Sequence, residues 1–95
     1  MSITKTKITP AQNAVLAALT VTLHVTGKNE ARITDVATEC AGWSDHRVSC
    51  VAASLERRGI LEKRGGMIWW ANGAGPSTVA VELDSYQAMI LGGTR

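Results

Sequence analysis

Residues 33 to 64, ITDVATECAGWSDHRVSCVAASLERRGILEKR, hold the starts and stops that decide the fold. Thr34 is a candidate N-cap for a short helix, and Gly42 can end that helix in the left-handed conformation that only a residue without Cβ adopts at no steric cost. Ser44 is the next N-cap. Trp43 stands before it and Val48 four positions inside, a spacing suited to a hydrophobic staple. The helix that Ser44 starts meets no Gly or Pro through Arg58 and stops at Gly59. Ile60 and Leu61 then open a segment that turns at Gly65-Gly66 and returns as Met67-Ile68-Trp69-Trp70, a hairpin pattern.

Side-chain periodicity assigns the faces. The short helix presents Val36, Ala37 and Cys40 inward. In the longer one Val48, Val51, Ala52 and Leu55 recur at helical spacing and face a core, which leaves Asp45, His46, Arg47, Ser49, Cys50 and Ala53 pointing elsewhere. A two-residue Gly65-Gly66 loop pairs Arg64 with Met67, Lys63 with Ile68, Glu62 with Trp69 and Leu61 with Trp70. Period two then puts Leu61, Ile68 and Trp70 on the core side and Glu62, Arg64 and Trp69 outside, so Trp69 is the aromatic expected to be exposed.

Upstream, Thr9-Pro10 is a helix start, with Thr as N-cap and Pro at the first helical position. The helix runs to about Val25, carries Val15, Leu16, Leu19 and Leu23 as one apolar stripe, and stops at Gly27; it is expected to scaffold the others. Ser2 to Ile8 reads equally as a flexible arm or a short strand. Downstream, Ala71 to Pro76 is a loop. Ser77 to Leu91 is ambiguous: Thr78 to Leu83 alternates like a strand, while Val79, Leu83, Tyr86 and Ile90 fit one helical face, and a helix is favoured from Asp84. The expected division is an N-terminal arm at 1–9, a domain at 10–72, and a packing or dimerisation segment at 73–95. No internal repeat or low-complexity tract is visible.

Ninety-five residues bound the chain to one domain, and a chain of this size buries roughly 60 to 65% of the surface that it exposes when unfolded. With 45% hydrophobic residues but no Phe, three Trp and one Tyr, the core must come from aliphatic side chains, and each Trp matters individually. The net charge of +2 is mild for a small nucleic-acid binder. Cys40 and Cys50 are expected to be free thiols. Lys5 and Lys7 precede the apolar run Ala14 to Val25, but Thr20, Thr22 and His24 interrupt it, so it is read neither as a secretory signal nor as a membrane span, and a cytoplasmic location is expected.

The run Leu55-Glu56-Arg57-Arg58-Gly59-Ile60-Leu61-Glu62-Lys63-Arg64, with Val48 ahead of it, resembles the end of the recognition helix and the first wing strand of winged helix-turn-helix transcription regulators, including MarR-like and phage-type ones. The resemblance spans residues 10 to 72. It implies a mainly α fold with a small β-hairpin (α+β): a three-helix core, a wing, a C-terminal helix or strand, and a short strand at Arg32-Ile33 before the second helix. The function implied is sequence-specific binding of double-stranded DNA by a homodimeric regulator of bacterial or phage type, a repressor being the expected form.

On that resemblance the third helix enters the major groove, with Ser44, His46, Arg47, Ser49 and Cys50 as candidate base readers. Arg47 is the strongest, because its planar fork fits O6 and N7 of guanine. Arg57, Arg58, Lys63 and Arg64 are candidates for phosphate, although a helix C-terminus also favours such cations without any ligand. Asp45 stabilises the helix start but repels phosphate, unless it accepts from cytosine. Between Lys28 and Arg64 seven Lys or Arg stand against six Asp or Glu, so charge attraction is modest. This keeps a second class open, a winged-helix adaptor or phage inhibitor of host machinery that docks on a protein. Cys40, Cys50, His24 and His46 are read as matching no zinc-ligand spacing, and no phosphate loop, carboxylate pair or nucleophile with its base stands out, so neither a metal, a cofactor nor enzyme activity is expected.

Overall fold

The computed structural model describes residues 6–40, 42–75, 78, 79 and 81. Along the chain lie α1 (Pro10–Thr26), β1 (Ala31–Arg32), α2 (Ile33–Glu39), α3 (Asp45–Arg57), β2 (Leu61–Arg64) and β3 (Met67–Trp70). Among the described residues this is an α+β arrangement of three helices and one antiparallel three-stranded sheet, ordered β1-β3-β2.

Thr9 and Gln12 close a capping box at the start of α1: the Gln12 N–H donates to Thr9 Oγ1 at 3.1 Å, and the Thr9 N–H donates to Gln12 Oε1 at 3.1 Å. Gly27, at φ 71°, ends the helix as expected. The apolar surface is wider than the stripe read from the sequence. Every residue from Ala14 to Leu19 is buried, whereas Leu23 is half-buried, because α2, α3 and β1 surround the middle of α1. Small Ala14, Ala17 and Ala18 alternate with Val15, Leu16 and Leu19, which lets the neighbouring elements approach from several sides.

The start of α2 departs from expectation. Its N-cap is Arg32, with no side-chain cap, and Thr34 lies inside the first turn. The Ile33 N–H instead donates to the Gly66 carbonyl at 2.9 Å, so the hairpin turn satisfies an amide that a capping side chain otherwise serves. Because Ile33 already starts α2, the short strand lies one residue earlier than expected, at Ala31–Arg32, where it pairs with β3 through Ala31↔Ile68 and Arg32↔Met67. The helix ends at Glu39, with Cys40 as C-cap. Gly42 does take a positive φ of 96°, but in the connection beyond the cap rather than as the cap itself. Val36, Ala37 and Cys40 face inward, as their spacing indicates.

Ser44 caps α3, its Oγ accepting from the Arg47 N–H at 3.1 Å, and Trp43 and Val48 join the same core. The other end is a Schellman turn: the Gly59 N–H donates to Glu56 and the Ile60 N–H to Leu55, each at 3.0 Å, with Gly59 at φ 77°. Leu55 and Ile60, the apolar pair that accompanies this motif, are both buried. Val48, Ala52 and Leu55 are fully buried, while Val51 is half-buried at the edge of the core.

The hairpin has the register expected from Gly65-Gly66, whose φ values of 57° and 81° match a type I′ turn. Leu61 and Ile68 are buried and Trp70 packs against the core. Residues paired across an antiparallel ladder share a face, so Lys63, opposite Ile68, falls on the core side and is half-buried. Trp69, opposite Glu62 on the other face, is half-buried rather than exposed.

Of the N-terminal segment, Thr6 forms a parallel bridge to Val79, its N–H donating to Thr78 at 3.0 Å, and Ile8 packs on the core. Val79 is itself buried in the core and Val81 packs against it, so this part of the tail serves packing within the chain. The helix expected from Asp84, with Tyr86 and Ile90, lies outside the described residues.

One buried polar side chain ties the ends of α1 and α3 together. Gln12 Oε1 also accepts from Arg58 Nη1 at 2.8 Å, and Gln12 Nε2 donates to Ser54 Oγ at 3.2 Å. Arg58 Nη2 continues the network to the Lys7 carbonyl at 2.7 Å. Replacing Gln12 by Ala leaves these partners short of an acceptor and a donor, with an expected loss of about 1 to 3 kcal/mol in urea unfolding. Leu55→Ala opens a cavity at the meeting of α3 and β2 and should cost about 2 to 5 kcal/mol. An unchanged denaturation midpoint for either variant contradicts the corresponding role.

Candidate functional site

α3 is sorted into two faces. Val48, Ala52 and Leu55 anchor it, and this leaves Asp45, His46, Arg47 and Cys50 exposed around its N-terminal half, with Ser49 and Ala53 half-buried at the boundary. Asp45 lies in the first turn, where the helix dipole favours a carboxylate. Ser44, exposed just before it, already uses its hydroxyl oxygen as the cap, and its O–H hydrogen is what it retains to donate outward.

Arg47 does not extend freely. Its guanidinium stacks over the Trp43 ring, 3.9 Å from the centroid. A cation on an exposed aromatic face gains about 0.5 to 1 kcal/mol, enough to favour one orientation of a long side chain without locking it. The half-buried Trp43, held by the core, thus presents the one arginine of the α3 N-terminal turn as a planar surface.

His46 and Cys50 are brought together as well, with His46 Nε2 3.5 Å from Cys50 Sγ. Their separation is four residues, one helical turn, which puts the two side chains on one face of α3. Among the described residues no group of three or more His, Cys, Asp or Glu is placed to hold a metal ion.

The cations expected to meet phosphate separate into distinct roles. Arg57 is exposed in the last turn of α3, and Arg64 is exposed beside the hairpin turn. Arg58, by contrast, is exposed but donates from its guanidinium to Gln12 and to the Lys7 carbonyl, so its side chain is held within the chain rather than free. Lys63 is half-buried on the core face of the hairpin. Gln12 went unnoticed in the sequence although the signal was present: it stands three residues after the cap Thr9, the capping-box spacing.

Both cysteines are free, but they differ in kind. Cys50 is exposed, whereas Cys40 is buried and its thiol points at the Ala14 carbonyl, 3.7 Å away. Burial pushes the Cys40 thiol from its ordinary 9.0 up to about 11, with the Glu39 carboxylate adding to the rise and Arg47 opposing it.

No family model, curated protein or solved structure matches the chain. Among the described residues, no helix is long and apolar enough to cross a membrane.

The raised Cys40 value makes stability depend on alkaline pH. Below pH 9 the thiol is neutral in both states and contributes no difference; from about 9 to about 11 it ionises only in the unfolded chain, so stability falls across that window. Alkaline denaturation curves should therefore show a steeper loss between these limits for the native chain than for Cys40→Ala. Parallel curves would contradict the burial of the thiol.

Proposed function

We propose that the chain is a winged helix-turn-helix domain that binds double-stranded DNA, and that it acts as a small regulator of bacterial or phage type, repressing by occupying its site. The observation that carries this is the two-faced α3: one face fully buried, the other presenting Ser44, His46, Arg47, Ser49 and Cys50 from the N-terminal half, where recognition helices meet base edges. The succession of elements supports it. A short strand precedes α2, a short connection joins α2 to α3, and a tight hairpin follows α3 directly.

In this function α3 enters the major groove, with Arg47 directed at guanine, and Arg57 and Arg64 placed against phosphate. Arg47 reaches a base either by leaving Trp43 or by carrying its stack to the groove edge, at little cost either way. The engagement of Arg58 with Gln12 and Lys7 and the half-buried position of Lys63 leave fewer cations free to approach phosphate. Binding should therefore have a shallow salt dependence for a DNA-binding domain. The homodimer expected from this family rests on segment 73–95, of which residues 73–75, Thr78, Val79 and Val81 are described.

One observation favours docking on a protein instead. An arginine stacked on tryptophan at an otherwise polar surface is the residue pair enriched in the energetic centres of protein interfaces.

Fluorescence anisotropy with duplex DNA at two salt concentrations decides between them. Arg64→Ala should weaken binding to every duplex about equally and lower the salt slope by about 1. Arg47→Ala should instead cost about 1 to 3 kcal/mol on preferred sequences and flatten the preference at one base position. Equal losses on all duplexes would remove Arg47 from base reading. No binding even at low salt would leave protein docking as the function.

A further inference from the structure

We propose that His46 and Cys50 form a two-ligand chelate for a thiophilic divalent cation of the zinc class on the exposed face of α3, independent of any contact with nucleic acid. A tetrahedral zinc ion with a Zn–S bond of about 2.3 Å and a Zn–N bond of about 2.0 to 2.1 Å holds its sulfur and nitrogen about 3.5 Å apart. His46 Nε2 and Cys50 Sγ stand 3.5 Å apart in a hydrogen-bond contact, so their separation matches the one that such an ion requires, and the ion takes the place of the shared proton.

The backbone supplies this geometry. Positions i and i+4 share one face of a helix, and both residues lie within α3, His46 in its first turn and Cys50 one turn further on. Both side chains are exposed, so an ion reaches them without any opening of the fold. Imidazole and thiolate are the donor pair that zinc-class ions prefer over magnesium or calcium. No further His, Cys, Asp or Glu completes the set among the described residues, and water fills the remaining positions. On binding, the S–H bond breaks, the proton leaves to solvent and a metal–sulfur bond forms; no electron is transferred, and affinity rises with pH. Cys40 does not compete as a donor, because it is buried against the Ala14 carbonyl.

Titration of the reduced 95-residue chain with cobalt(II) tests the site spectroscopically. The expected result is a thiolate-to-cobalt charge-transfer band that saturates at one ion per chain and disappears when zinc is added. Cys50→Ser should lose the band, and His46→Ala should shift the titration to higher cobalt. Circular dichroism should show that both exposed-site variants keep their helices. Absence of the band with cobalt in large excess, its persistence in Cys50→Ser, or unchanged affinity in His46→Ala would each overturn the proposal.

Discussion

The turn at Gly59 fixes the relation between the helix that carries the candidate surface and the hairpin beside it. At φ 77° the backbone reverses, Leu55 and Glu56 each accept a bond from beyond the helix end, and Leu55 and Ile60 enter the core together. The Ala71 N–H then donates to the Ile60 carbonyl at 3.0 Å, which fastens the far end of the hairpin to the same turn. A side chain at Gly59 would meet open space, so conformation rather than room demands glycine there.

From this turn the remaining constraints are reciprocal. The hairpin tip gives the Gly66 carbonyl to the first amide of α2, and β3 gives its free edge to β1. α1 fills the middle, and Gln12 joins its capped start to Arg58 at the C-cap of α3. The N-terminal half of α3 is thereby held from below by apolar contacts and from its far end by a hydrogen-bond network. Its exposed side chains are displayed on a rigid support, with Trp43 and Cys50 ordering Arg47 and His46 locally.

Much of this was legible wherever a local residue decides the geometry. Thr9, Ser44, Gly27 and Gly59 bound α1 and α3 because caps act within a few residues, and Gly65-Gly66 set the hairpin register because a two-residue loop allows few alternatives. What depends on distant parts of the chain was not. Thr34 is a good cap by type, yet Gly66 supplied the partner across the fold. Trp69 sits on the outer face by period two, but that period says nothing about how much of an outer face the neighbouring elements cover. Arg58 is exposed as a helix end is expected to be, and only the packing of α1 against α3 shows its bonds to Gln12 and Lys7. In the candidate site the residue types and the exposed face followed from helical spacing. The Arg47–Trp43 stack and the His46–Cys50 contact depended on rotamers, which spacing permits without selecting.

The most direct test of an α3-centred function is amide chemical-shift mapping on titration with duplex DNA. Perturbations confined to residues 44–50 and to the Arg64-Gly65-Gly66 tip are the expected result. Perturbations centred on the α1 surface, or none at saturating DNA, would contradict it.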